Sequence, residues 1–169
     1  MKKSFGKFIP LIAGTLAIVA LDQATKILVR THIPLLDSLP LIDGFLNLTH
    51  LQNTGAAFSF LADVRSPWVG RMFAVVSLFA IGLIVYMYKE AAENERLLRC
   101  AFILILGGAA GNLIDRLTVG SVTDFVDMYV GAHHWPAYNV ADSCISIGAV
   151  MAAVSWFFHS GGEENKAAE

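Results

Sequence analysis

Four segments of this chain are apolar over lengths of about 20 residues, the length an α-helix needs to cross a bilayer. They run over about residues 8–29, 68–88, 97–117 and 140–158. Between the first and second lies segment 31–67, too polar and turn-rich to span. Pro34, Pro40, Asp43-Gly44 and Asn53-Thr54-Gly55 punctuate it. Within it, Phe45-Leu46-Asn47-Leu48-Thr49-His50-Leu51 alternates between apolar and polar residues, which predicts a half-buried strand. The expected fold is therefore an all-α membrane protein. It is a four-transmembrane-helix bundle with a small extracytoplasmic β-element between helices one and two. Residues 118–139 are expected as a loop, and 160–169 as a short polar tail.

Composition supports this reading. Of 169 residues, enough for one domain, 56% are hydrophobic and 15% charged, against roughly 25% charged in soluble domains. The net charge of −2, with no long basic block, argues against a nucleic-acid partner. Cys100 and Cys144 both sit in apolar stretches and are expected to be small, reduced core residues. Neither belongs to a metal-ligand spacing. The first apolar run follows Lys2, Lys3 and Lys7, as a cleaved leader would. It continues past Asp22 to Val29 with no convincing small-residue cleavage site, so a retained helix is expected.

Basic residues set the expected orientation. Lys2, Lys3 and Lys7 precede span one, Lys89, Arg96 and Arg99 lie between spans two and three, and Lys166 follows span four. With four spans these regions share one side, so both termini are expected in the cytoplasm. Trp68, Trp135 and Tyr138 would then mark the outer interface, and Tyr86, Tyr88 and Trp156 the inner one.

Ionisable groups inside spans cost about 2.5–3.5 kcal/mol each on insertion scales, so each calls for a reason. Here they cluster near the expected outer leaflet. Asp22 and Lys26 stand four apart in span one, Asn112, Asp115 and Arg116 end span three, and Asp142 begins span four. Asp124 and Asp127 lie in the intervening loop. Each also has a plainer reading. Asp22 and Lys26 can be a simple intrahelical ion pair. Asp115-Arg116 can cap a helix or sit among headgroups, and Asp127 can be a solvated loop residue. His133-His134 lacks a third ligand at metal spacing and reads as an interface pair. Asp142 is harder to dismiss, because an apolar helix continues behind it. Gly107 and Gly111 form a small-xxx-small pattern, expected to draw spans three and four together and, with them, the acidic positions.

Asp22-Gln23-Ala24-Thr25-Lys26, then Asn53-Thr54-Gly55-Ala56-Ala57-Phe58-Ser59, occur in order along the chain. Gly107-Gly108-Ala109-Ala110-Gly111-Asn112-Leu113-Ile114-Asp115-Arg116 and Gly120-Ser121-Val122-Thr123-Asp124-Phe125 follow, then Asn139-Val140-Ala141-Asp142-Ser143. Together these resemble the motifs of the lipoprotein signal peptidase (signal peptidase II) family. The resemblance implies an aspartic endopeptidase of the bacterial inner membrane, with its active site toward the outer leaflet. Its substrates would be diacylglyceryl-modified prolipoproteins, cut just before the lipid-bearing cysteine among membrane lipids. No cofactor is expected, and no metal-ligand spacing is readable in the chain. The resemblance maps the catalytic pair to Asp124 and Asp142. It maps supporting positions to Asp22, Lys26, Asn53, Asn112, Arg116 and Asn139.

Elementary chemistry accommodates that assignment. Two neighbouring carboxylates in a poorly solvated site cannot both ionise readily and share one proton. The ionised member takes a proton from water, and the protonated member polarises the scissile carbonyl. Three rivals fit less well. A phospholipid-synthesising alcohol phosphatidyltransferase needs a DxxDG start that Asp115-Arg116…Asp124 lacks. A transporter using Asp22, Lys26 and Asp142 would show repeats or broken helices. A Ser/Lys peptidase would have to use Ser59 or Ser143 with Lys26, which belongs to a different motif.

Overall fold

The computed structural model describes residues 6–54 and 67–166, with side chains for 6–54 and 70–158. Lys2, Lys3, the motif residues 55–59 and the side chains of Trp68 and Lys166 lie outside that range.

Four long helices form. They are α1 (Ile9–His32), α2 (Pro67–Glu90), α3 (Arg96–Thr118) and α4 (Val140–Lys166). Each contains a stretch long and apolar enough to cross a membrane. Pro10 stands in the first turn of α1, where its missing N–H costs nothing. The expected spans 8–29, 68–88 and 97–117 match these helices to within a few residues. The fourth continues through the expected polar tail to Lys166.

Helix α3 is the centre of the bundle. Half of its apolar window is buried inside the protein, against 6% for that of α2. The remaining apolar faces, among them Leu16, Val75, Phe79 and Phe157, point outward as they would toward lipid.

Glycines decide how closely α3 is approached. A Cβ on Gly107 would meet Ile18 of α1 at 2.7 Å, and one on Gly111 would meet Asp22 Oδ2 at 2.5 Å. The Gly107–Gly111 pair thus packs α3 against α1, a correction to the expected α3–α4 seam. That seam rests instead on Gly108, whose Cβ would run into the Ala141 carbonyl, and on Gly148, whose Cβ would lie 2.8 Å from the Ala101 carbonyl.

A four-stranded antiparallel sheet lies at one end of the bundle, in the order β1 (Ser38–Ile42), β2 (Leu46–Asn53), β3 (Val122–Val130) and β4 (His133–His134). Strand β2 is the one expected from alternation. Strand β3 replaces much of the expected 118–139 loop. Helix α3 stops at Gly120, whose φ of +86° takes the left-handed conformation that ends helices, and the chain turns into β3. Leu48, Phe125 and Val126 pack with Val29, Ile33 and Val140 and seat the sheet on the ends of α1 and α4.

At the other end, Lys7 donates to the carbonyls of Lys89 and Ala91 at 2.8 and 2.7 Å. The start of α1 therefore sits beside the α2–α3 turn, far from the sheet. Tyr88 is fully buried there in a cluster with Leu11 and Phe102, so it is a core residue and not the interface marker expected. Tyr86 and Trp156 are exposed. Cys100 is exposed and Cys144 half-buried, both as free thiols. The exposure of Cys100 corrects the expectation of a core residue.

Candidate active site

Asp124 sits on β3, not on a loop as expected, opposite Leu51 of β2. Asp142 is in the first turn of α4. The two meet because the residues before α4 run alongside β3. The Tyr138 carbonyl accepts from the N–H groups of Phe125 and Val126, and the Tyr138 N–H donates to Val126.

The next residue, Asn139, joins the two acids. Its Oδ1 accepts from the Asp142 N–H at 2.9 Å, and its own N–H donates to Asp142 Oδ2 at 3.2 Å. This is a reciprocal cap at the start of α4. The cap fixes the orientation of the amide, because a backbone N–H can only donate. Asn139 Nδ2 then points the other way and donates to Asp124 Oδ1 at 2.7 Å.

Each carboxylate has a second amide donor. Asn53 Nδ2 lies 3.0 Å from Asp124 Oδ2, and Asn112 Nδ2 lies 2.8 Å from Asp142 Oδ1. The Asn112 amide is oriented in turn by Lys26, which donates to its Oδ1 at 2.9 Å.

Behind this pair lies a buried ionic cluster. Lys26 Nζ sits 2.9 Å from Asp22 and 3.3 Å from Asp115, with all three side chains fully enclosed. The i,i+4 ion pair expected on α1 exists, but it does more than brace its own helix. Asp22 Oδ1 accepts from the Ala141 N–H in the first turn of α4, at 3.0 Å. Asp115 Oδ2 accepts from the Thr123 N–H, immediately before Asp124, at 2.9 Å. The two acids of the cluster thus hold the two backbones that carry Asp124 and Asp142. Arg30 adds a second cation, 3.4 Å from Asp115 and 3.0 Å from Thr123 Oγ1.

The structure therefore gathers Asp22, Lys26, Asn53, Asn112, Asn139, Asp124 and Asp142 into one connected network. Arg116 stands at its margin. It donates to the Asn112 carbonyl at 3.3 Å, lies 5.5 Å over the Phe73 ring, and hydrogen-bonds neither acid among the described residues.

Asp115 was underestimated from sequence. It neither caps α3 nor sits among headgroups, and it is fully buried. Thr123, Arg30 and Gln23, whose Nε2 donates to Asp115 Oδ1 and to the Gly111 carbonyl at 3.1 Å each, were not singled out as site residues. The spacing of Asp22, Lys26 and Arg30 at every fourth residue of one helix face was the readable signal for Arg30.

Burial is the largest influence on Asp124, which is 3% exposed, and raises its pKa from 3.8 to about 6. The hydrogen bond from Asn53 opposes the rise and the charge of Asp142 adds to it. Asp127, on the same strand, behaves otherwise. Burial pushes it up, but the bonds from His134 at 2.7 Å and Asn47 at 2.9 Å outweigh this and hold it below its usual value. It is thus a clipped strand residue and not a solvated loop one. His133 and His134 are exposed, and His134 stacks on Tyr129. Among the described residues no group of three or more His, Cys, Asp or Glu is placed to hold a metal.

Asp142 lines a cavity of about 450 Å³ together with Met128, Trp135, Tyr138, Ser143, Ser146 and Ile147. A carboxyl pair of this kind, one member ionised and one protonated, can supply both the base and the acid that hydrolysis of a peptide bond needs.

A family model described as Signal peptidase (SPase) II matches residues 14–158. The chain belongs to the signal peptidase II family. A lipoprotein signal peptidase of Geobacter sulfurreducens is 44% identical over 156 residues, covering 91% of this chain and 93% of that protein. One from Desulforapulum autotrophicum is 51% identical over 136 residues, covering 79% and 83%. Two bacterial membrane enzymes solved by the in meso method share the fold. One aligns with a TM-score of 0.80 at 29% identity and covers 92% of each chain. The other has a TM-score of 0.77 at 31% identity, covering 88% of this chain and 94% of that one. The membership accords with four helices long and apolar enough to cross a membrane.

Proposed function

We propose that this chain removes the signal peptide from diacylglyceryl-modified prolipoproteins, as a single integral membrane peptidase domain with Asp124 and Asp142 as its catalytic pair. The observation that carries this reading is Asn139, whose side chain hydrogen-bonds Asp124 while capping the helix turn of Asp142. In this reading the two acids share one proton. The ionised member accepts a proton from the attacking water. The protonated member hydrogen-bonds the scissile carbonyl, and the leaving amine is protonated as the tetrahedral intermediate collapses. Asn53 and Asn112 keep the outer carboxylate oxygens oriented. Asp22, Lys26 and Asp115 fix the backbones behind them.

The sheet and the pair face the outside of the bacterial inner membrane, and both termini are cytoplasmic. Support comes from Lys7, Lys89, Arg96 and Arg99 gathering at the opposite end of the bundle. The lipid of the substrate stays in the outer leaflet, and its scissile bond reaches the pair from the apolar cavity beside Asp142.

The test is cleavage of a lipidated prolipoprotein by purified protein in detergent. Asp124→Asn and Asp142→Asn each abolish product formation while the protein still folds, and the double variant is little worse than either single. Substantial turnover by either single variant refutes the assignment.

A further inference from the structure

A second cavity, of about 280 Å³, opens between α1 and α3 at the end of the bundle remote from Asp124 and Asp142. Its lining is divided. Pro10, Cys100 and Ile103 give apolar walls, and Arg96, Arg99 and Glu93 the polar rim. The active-site network uses none of these residues.

The cations there are held in place by uncharged partners, and among the described residues none of Arg96, Arg99 and Lys7 forms a salt bridge. Arg99 Nη2 donates to the Tyr88 hydroxyl at 2.7 Å and to the Lys7 carbonyl at 2.8 Å, and the guanidinium lies 4.7 Å over the Tyr88 ring. Tyr88 is fully buried and so cannot move aside. Lys7 is tied to two backbone carbonyls at the end of α2. Carbonyl, hydroxyl and ring partners orient these groups and leave their charge uncancelled. Arg96 adds a third cation at the start of α3, whose N-cap residue, Glu95, makes no side-chain cap and instead accepts from the Ala92 N–H. Within the lining Glu93 sets one negative charge against Arg96 and Arg99, with Lys7 tied behind Arg99 and Glu95 at the start of α3.

We infer that this cavity binds the headgroup of an anionic phospholipid, with its phosphate between Arg96 and Arg99. The neighbouring surface identifies a lipid over a free anion. Ile9 and Leu97, next in sequence to Pro10 and Arg96 of the lining, are exposed, as is Ile12 on the same helix as Ile9, and they offer apolar surface for acyl chains. One turn beyond Pro10, α1 and α3 come into close contact, since a Cβ on Gly14 would lie 2.5 Å from the side chain of Ile103, a residue of the cavity wall. The headgroup therefore sits in the pocket and the chains run outside it. Basic pockets at the end of a membrane bundle recognise anionic headgroups by this combination.

The experiment uses the full chain in neutral detergent, with thermal unfolding and lipid retention by native mass spectrometry as readouts. Phosphatidylglycerol should raise the melting temperature and remain bound, phosphatidylcholine should do neither, and glycerol phosphate without chains should have no effect. Arg96→Gln should weaken phosphatidylglycerol binding about fivefold, the usual worth of one basic residue at an anionic surface. Arg96→Lys should retain most of the binding, and Lys89→Gln, a charge loss of the same size outside the cavity, should leave it unchanged. Equal effects of the two lipids, unchanged binding by Arg96→Gln, or stabilisation by glycerol phosphate alone would overturn the assignment.

Discussion

Asn139 Nδ2 donates to Asp124 Oδ1 across 2.7 Å from the N-cap position of the helix that carries Asp142. One amide thus sets both the start of a helix and the relative position of two acids. Substitution can separate these roles. Asn139→Ser keeps a good helix cap, which is otherwise worth about 1 kcal/mol, but cannot reach Asp124. Its melting temperature should stay near that of the parent protein while turnover falls about a hundredfold, the scale of a small misplacement of catalytic groups. If melting and turnover fall together, Asn139 acts through the fold alone.

Lys26 is enclosed between Asp22 and Asp115 and donates to Asn112. Lys26→Met would leave two buried carboxylates short of a cation, a loss of about 3–5 kcal/mol for breaking one side of a buried ionic group. Unfolding in detergent should show it directly. Adding Asp22→Asn should recover part of the loss by removing one uncompensated charge. Independent, additive losses would mean that the two residues are not coupled.

The helices were legible in the sequence because lipid imposes length and apolarity on every residue of a span, as in 97–117. The sheet was legible only in part. Strand β2 could be read because Leu46 and Leu48 alternate with polar neighbours over a half-buried face. Strand β1 is exposed along its whole length and contains Pro40, so burial left no pattern there, as befits an edge. Strand β3 hides its period because Thr123 and Asp124 are buried beside Val122 and Phe125. The polar residues that mark the site also erase the alternation that would mark the strand. The same holds for Asp115. Beside Arg116 it looks like half of a surface pair, and only the packing of α1 at Gly111 shows that it faces Lys26.

Asn53 offers a direct probe of proton sharing. Its hydrogen bond to Asp124 favours the ionised acid and works against the rise to about 6 caused mainly by burial. Asn53→Ala should move the Asp124 titration to higher pH. The alkaline limb of kcat/KM, which reports loss of the proton shared by the pair, should move with it. Rates of lipidated prolipoprotein cleavage measured from pH 4 to pH 9 would show the displacement. A limb that stays fixed, or moves to lower pH, would mean that Asp124 does not govern it.

The burial that raises the Asp124 pKa should also be visible in stability. Its pKa is 3.8 when exposed and about 6 in the fold, so this group favours the folded state fully below about pH 4. That contribution is lost as pH rises through 6, and the loss is on the order of 3 kcal/mol. Asp124→Asn cannot ionise and escapes it, although its amide satisfies the donors of Asn53 and Asn139 less well than a carboxylate. Relative to the parent protein, the variant should therefore gain stability between pH 5 and pH 8 while remaining inactive throughout. Asp127→Asn gives the contrast. Asp127 is held below its usual pKa by His134 and Asn47, so its ionised form contributes stability above about pH 4. Its substitution should lower stability slightly across the same range and leave cleavage nearly unchanged. Melting curves of the three proteins in one detergent at pH 5 and pH 8 decide the matter. If Asp124→Asn follows the parent in parallel at both values, ionising Asp124 costs the fold nothing, and a site that keeps its acids short of water is refuted.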